Sequence, residues 1–420
     1  MTAKITKLKS GFRVITDSIS TVDSVAIGVW ADVGTRNEDL SANGVAHMVE
    51  HMMFNGTEKR SAQDIVKEVE NVGGQMNAYT SRENTAYYVH LLKEDTELAI
   101  DVLSDMIQHS VFPDKEIEKE RQVIIQEIGM TNDTPDDIVF DYYQETAYPD
   151  QSLGAPILGT ADIIQSMGKT TLSDYVSRLY TSENLVLSAA GNCDHDQIVA
   201  WAQQYFASLL PANDTSLQQA KYKGGYRYET KDLEQAHVVL GFQGIEKTNP
   251  NYYTAVLLST LLGGGMSSRL FQNVREKHGL AYSVYSSHSA FKDDGQFEIY
   301  AGTGPNQVTK LIPVVIDELH KIMEKDCTET ELERAKAQLK SSIVMGQESM
   351  LSRANRQAKY LMNFDKAVDI NQLIALIRQT SMQDVEAMAK QIFSATPTVS
   401  ILGPNASVPT YDDIQEKLAA

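Results

Sequence analysis

The pattern of strand-like and helix-like periodicity runs twice through the 420 residues, and this duplication limits the possible folds more than any single motif does. In the first copy KITKLKSGFRVITD and SVAIGVWADVG alternate as strands do. Residues 44–56 and SAQDIVKEVENVG have helical spacing, and GGQMNAYTSRENTAYYVHLL reads as a strand hairpin. Helices at about 95–109 and 114–130 follow, then helical TTLSDYVSRLY and DQIVAWAQQYF on either side of the strand ENLVLSAAGN. The second copy opens with strand-like KDLEQAHVVLGFQGI and helical NYYTAVLLSTLL, and continues with the hairpin GLAYSVYSSHSAFKDDGQFEIYAGTG. TKLIPVVIDELHKI and ETELERAKAQLKSSIV then echo the helix pair of the first copy. The fold class expected is α+β, in two homologous domains that each pack helices on a mostly antiparallel sheet. The polar, glycine-tipped stretch at 213–225 predicts a linker between a domain at 1–212 and one at 226–420.

With 42% hydrophobic and 22% charged residues, the composition is that of a globular protein and excludes disordered and fibrous classes. No run of about 18 apolar residues occurs and the N-terminal segment lacks a signal-peptide core, so a cytoplasmic protein with no membrane partner is expected. Cys193 and Cys327 lie far apart, read as core thiols, and offer no thiolate metal site. A formal charge of −19 disfavours nucleic acid and suits cationic partners, or simply solubility.

The motif that carries chemistry is GVAHMVEHMMFNGT at 44–57. At about 100° per residue, Val45, Met48, Val49 and Met52 form one apolar stripe while His47, Glu50 and His51 gather opposite it. Two imidazoles four apart can reach one zinc ion, and the order H-x-x-E-H is the inverse of the commoner H-E-x-x-H. Such a site needs a third protein ligand, leaving a fourth position for water if it is catalytic. The best candidate is in DKEIEKERQVIIQEI, where Glu120 and Glu127 share a face beside Ile117, Ile124 and Ile128. A carboxylate at Glu127 among these isoleucines is costly to bury without a partner; Glu116 and Glu118 share the segment and remain alternatives. The second copy has LLGGGMSSRL where the first has its histidines, so the metal belongs to the first copy.

Across nearly the whole chain, the sequence resembles the pitrilysin-type inverzincin metallopeptidases, most closely the β subunit of mitochondrial processing peptidase and its bacterial relatives. The segments that carry the resemblance are AHMVEHMMFNGT, GGQMNAYTSRENTAYY, the glutamate 75 residues beyond His51, DDIVFDYYQETAY, SLGAPILG and VREKHGLAY. The resemblance implies a half-clamshell of two domains and one zinc per chain held by His47, His51 and Glu127. It implies a catalytic pair in which Glu50 is the general base and Glu120 supports the site. It also implies that an extended peptide adds to the strand at Met76–Thr80, with Asn77 and Ala78 flanking the cleaved bond. Arg275 and Tyr282 then match donors to substrate and oxyanion, and Asp137 with Asp141 matches an acidic pair that takes a substrate arginine. LLGGGMSSRL, with Gly263–Gly265, is similar to the glycine-rich segment of the processing-peptidase α subunit but shorter.

The activity expected is zinc-dependent endopeptidase cleavage of short or unfolded, basic peptide segments inside a closed chamber. The expected assembly is a homodimer whose sites are completed in trans. A core-like scaffold without proteolysis, or a peptide-binding partner of an active sister subunit, are the alternatives; the intact metal set argues against the first, and its co-occurrence with Arg275 and Tyr282 in one chain against the second.

Overall fold

The duplication reappears in the strand pairing of the computed structural model, which describes residues 3–211, 217–404 and 407–420. The first sheet has the order β1-β2-β6-β3-β5-β4, built from β1 (Lys4–Lys7), β2 (Arg13–Ser18), β3 (Ser24–Ala31), β4 (Gln75–Thr80), β5 (Thr85–Leu92) and β6 (Leu185–Gly191). The second has the order β7-β11-β8-β10-β9, built from β7 (Gly225–Thr230), β8 (Ala236–Gln243), β9 (Ala281–Ala290), β10 (Gly295–Thr303) and β11 (Thr398–Gly403). Each sheet contains one parallel pair, β2 with β6 and β7 with β11; the other pairs are antiparallel. Apart from β1, the two sheets therefore have the same topology, as the α+β expectation requires.

The central strands are buried on both faces. In β3, SVAIGVWA, every residue after Ser24 is buried, so the strand reads as a continuous apolar run without alternation. One face of the first sheet is covered by helices of its own half, including α1 (Val45–Met52), α2 (Ala62–Glu70), α3 (Thr96–His109) and α4 (Asp114–Asn132). No helix among the described residues is long and apolar enough to cross a membrane.

The expected domain boundaries need correction. The chain divides into two units, but the first runs to Met130, resumes over Ala155–Gln218 and returns over Met345–Asp369. The second unit takes Thr131–Gly154, Gln219–Val344 and the chain from Ile370. Of the linker expected at 213–225, residues 213–216 lie outside the described residues, and Gly225 already begins β7.

The physical reason for the exchange is that each sheet has a second apolar face that the helices of its own half leave bare. On the first sheet, Ile15, Trp30, Ala86, Val186 and Ala190 are covered by Ala354, Ala358 and Leu361 of the helix Met350–Phe364. That helix is fixed by a fork of hydrogen bonds from Arg353 to Asp17, Nε to Oδ2 at 2.9 Å and Nη2 to Oδ1 at 3.1 Å, and by Trp30 Nε1 donating to Asn355 Oδ1 at 3.0 Å. On the second sheet the corresponding cover is α5 (Pro135–Ala147), whose Val139 and Tyr143 pack with Val239, Tyr300 and Leu402. Gly241 in β8 makes room for it, since a Cβ there would lie 2.2 Å from the Tyr143 hydroxyl.

Candidate metal centre

Helix α1 forms because Val45, Ala46, Met48, Val49 and Met52 bury one face while His47, Glu50 and His51 remain half-buried on the other. Its N-cap is Gly44, in the left-handed region at φ 93° and with no side chain to cap the first turn. Glu38, from the preceding loop, supplies that cap. Its Oε1 accepts from Ala46 N at 2.7 Å, and its Oε2 accepts from Gly44 N at 2.9 Å and Asn43 Nδ2 at 3.0 Å. Burial raises the Glu38 pKa to about 8, against the lowering effect of these three bonds. Nothing in the polar run NEDL marks Glu38 as buried, and sequence reasoning did not find it.

Helix α4 places Glu120 and Glu127 over α1. Oε2 of Glu127 lies 3.8 Å from His47 Nε2 and 3.7 Å from His51 Nε2. One ligand atom from each of the three residues fits within a 4.8 Å cluster, the one such group of three or more among the described residues. The two rings meet edge to face at 4.6 Å. These gaps are too long for hydrogen bonds and close to the roughly 3.3 Å that separates two ligands held about 2.0 Å from a tetrahedral ion. The choice of Glu127 over Glu116 and Glu118 is therefore supported by position.

The electrostatics suit a cation. Burial, aided by the neighbouring His51, lowers the His47 pKa to about 4, so its ring is neutral at pH 7 with a lone pair to offer. His51 feels burial in the same direction, but its Nδ1 bond to Glu120 Oε2 at 3.1 Å and the nearby Glu127, Glu120 and Glu50 raise its pKa overall. Glu120 is buried, and its pKa is lowered chiefly by that bond to His51. It turns the His51 ring so that Nε2 faces Glu127, the usual way a histidine ligand is oriented. Burial raises the pKa of Glu50, whose Oε2 accepts from Thr80 Oγ1 at 2.5 Å. Thr80 lies inside the hairpin that the sequence predicted, but its contact with Glu50 was not foreseen.

Strand β4, which carries Asn77, Ala78 and Thr80, is an edge of the first sheet as expected. Asn77 is exposed, and its Oδ1 accepts from the N–H of Ala78 at 2.8 Å. The remaining predicted residues lie in the second unit. Arg275, in the π-helix Phe271–Lys277, stacks over the Phe271 and Tyr282 rings at 4.6 Å each and donates from Nη1 to the Tyr282 carbonyl at 2.9 Å. The structure thus brings Arg275 and Tyr282 together, with Tyr282 74% exposed. Asp137, exposed, and Asp141, half-buried, are one turn apart on α5. Gly263 ends the helix Tyr252–Gly263 where a Cβ would lie 2.3 Å from Ser286 N, so packing against β9 already requires this glycine.

Comparison with known proteins finds peptidase relatives along most of the chain. The profile of the Insulinase (Peptidase family M16) domain matches residues 13–161, and that of the Peptidase M16 inactive domain matches residues 166–339. An uncharacterized zinc protease of Rickettsia felis is 41% identical over 96% of this chain and 97% of its own length. The uncharacterized zinc protease YmxG of Bacillus subtilis is 38% identical over 96% and 98%. Among solved structures, a protease from Helicobacter pylori superposes with a TM-score of 0.89 at 24% identity, covering 96% of this chain and 99% of that one, and shows the same fold. A peptidase M16 inactive domain from Pseudomonas fluorescens gives 0.88 at 19%, covering 97% and 99%.

Proposed function

Because the chain belongs to the M16 peptidase family, we propose that it is a zinc-dependent endopeptidase acting on short or unfolded, basic peptide segments. The observation that carries this reading is the convergence of His47 Nε2, His51 Nε2 and Glu127 Oε2 on one point, with Glu50 on the same helix. His47, His51 and Glu127 would hold one zinc per chain, and the ion would supply Lewis acidity to the scissile carbonyl and to the attacking water. Glu50 takes the proton of the attacking water and delivers it to the leaving amine, while Glu120 keeps His51 in its ligating orientation.

The substrate is read as an extra strand on the free edge of β4. Main-chain hydrogen bonds at Ala78, whose N–H faces away from β5, then grip it with little regard to sequence, while Asn77 contributes its side chain, which must release the Ala78 N–H. Asp137 and Asp141 supply negative charge for a basic side chain of the peptide. Arg275 and Tyr282 are assigned to the oxyanion and the substrate backbone, in the site of a second copy of the chain. A two-fold homodimer then holds two complete sites, each with the metal set of one protomer and the Arg275/Tyr282 pair of the other. The compartment proposed is the cytoplasm, in keeping with two free cysteines and no disulfide.

The deciding experiment uses two variants. Glu50→Gln keeps stoichiometric zinc and loses hydrolysis of an unstructured basic peptide, whereas His47→Ala loses both. Full activity in metal-free protein refutes the assignment.

A further inference from the structure

Glu50 sits at the end of a flexible side chain, and a general base with several rotamers is effective only if something fixes its carboxylate. Among the described residues, the hydroxyl of Thr80 does this, donating to Glu50 Oε2 at 2.5 Å. Thr80 is itself unusually well held. It is the last residue of β4, paired with Thr85, which is fully buried and bonded to the Val33 carbonyl at 3.2 Å. The turn beyond it is closed by Ser81 N donating to the Asn84 carbonyl at 2.8 Å and by Asn84 N donating to Ser81 Oγ at 3.1 Å.

The same turn is pinned from outside, since Thr35 N and Arg36 N donate to the carbonyls of Ser81 and Arg82. Gly34 permits that approach, for a Cβ there would lie 2.2 Å from the Ser81 carbonyl. On the other side of Thr80, the Tyr79 hydroxyl donates to Asn355 Oδ1 at 2.8 Å, the same oxygen that accepts from Trp30. Successive residues of a strand point to opposite faces, so β4 is clamped through Tyr79 on one face and reaches Glu50 through Thr80 on the other. A β-branched residue on a strand held in this way has little χ1 freedom, and its hydroxyl is aimed before substrate arrives.

On the reading of the active site given above, we propose that Thr80 is a positioning residue that holds Oε2 of Glu50 and leaves Oε1 to take the proton of water. Because Thr80 belongs to the strand that receives the peptide, the base is set in register with the bond presented on that strand. Substrate grip and base orientation are then two functions of one rigid hairpin.

The test compares Thr80→Val, which keeps the branched shape without the hydroxyl, with Thr80→Ser, which keeps the hydroxyl. For an unstructured basic peptide, Thr80→Val lowers kcat about 10- to 100-fold with KM within about twofold, a fraction of the 10²–10⁴ available to acid–base catalysis. Zinc content stays at one per chain, and Thr80→Ser recovers kcat to within about threefold of wild type. Wild-type kcat in Thr80→Val overturns the proposal, as does an equal loss in both variants, which assigns Thr80 a purely steric role. If Thr80→Val unfolds, Thr80→Ala is read in its place; unfolding of both makes the contact structural and also overturns it. Glu50→Gln in the same assay separates the two levels of inference. If it is fully active, the general-base reading has failed, whereas an inactive Glu50→Gln beside a wild-type-like Thr80→Val means that only the role of Thr80 has failed.

Discussion

Replacing Glu38 by glutamine tests whether a buried carboxyl at the head of the histidine-bearing helix is held against its own ionisation. The side chain is 5% exposed, and its two oxygens accept three N–H bonds. Glutamine keeps one oxygen and must turn an NH₂ group toward either Ala46 N or the Gly44/Asn43 pair. At least one buried donor is left facing another, at a cost of about 1–3 kcal/mol. The pH dependence is more diagnostic than this offset.

With the folded pKa raised from 4.5 to about 8, the unfolded chain releases the Glu38 proton first as pH rises. Folding therefore takes up a proton between these values, and the contribution of Glu38 to stability falls steadily across that window, by a few kcal/mol in all. Glutamine does not titrate. The expected result is that wild-type stability minus Glu38→Gln stability declines from pH 4.5 to 8 and is flat outside that range. Groups common to both proteins, His47, His51 and Glu127 included, cancel in the difference. Both tryptophans, Trp30 and Trp201, belong to the first unit with Glu38, so denaturant unfolding of metal-free protein followed by tryptophan fluorescence reads the correct part of the molecule. A difference that stays constant across the window refutes the raised pKa. One that rises with pH shows that the three hydrogen bonds outweigh burial.

The other expectations concern the peptide and the assembly. An unstructured peptide with an arginine a few residues before the cleaved bond is cut faster than its alanine counterpart, and Asp137→Ala with Asp141→Ala shrinks that ratio; an unchanged ratio in the double variant leaves the pair as a solvated face. Chelation abolishes hydrolysis and stoichiometric zinc restores it, whereas Glu50→Gln rebinds zinc without recovering. Mixing Glu50→Gln with Arg275→Ala regenerates activity once subunit exchange has been demonstrated by mass spectrometry of differently tagged chains, because one site of the heterodimer then holds both intact residues. Exchanged heterodimers without activity refute the shared-site arrangement while leaving the zinc reading intact.

The parts of this architecture that are legible in the sequence are those with a local period or a fixed spacing. The H-x-x-E-H pattern places His47, Glu50 and His51 on one helical face, and seven-residue spacing sets Glu120 and Glu127 over them, as the structure has them. The α+β class in two similar halves follows from the repeated hairpins and helices, whereas the placing of β6 between β2 and β3 does not. What the sequence hides is partnership across long separations. Glu38 reads as one more acid in a polar loop, because burial is a property of what folds over it. Thr80 looks like any strand threonine, since its bond to Glu50 spans 30 residues. The expected domain boundaries differ from the structural units for the same reason: amphipathic spacing shows that α5 and the helix Met350–Phe364 have apolar faces but not which sheet each one covers.

The exchange of these two helices has a consequence for biosynthesis. The strands of the first sheet are complete once Gly191 has been made, but the helix that seals its Trp30 face begins at Met350. At about 5–20 residues per second, the ribosome needs on the order of ten seconds to deliver it. Through that interval Ile15, Trp30 and Val186 present a bare apolar surface on a nascent sheet, within reach of chaperones and of neighbouring chains. The expected outcome is that synonymous codons that slow translation across the intervening stretch lower the yield of folded protein without altering a single side chain, as soluble expression of such variants would read.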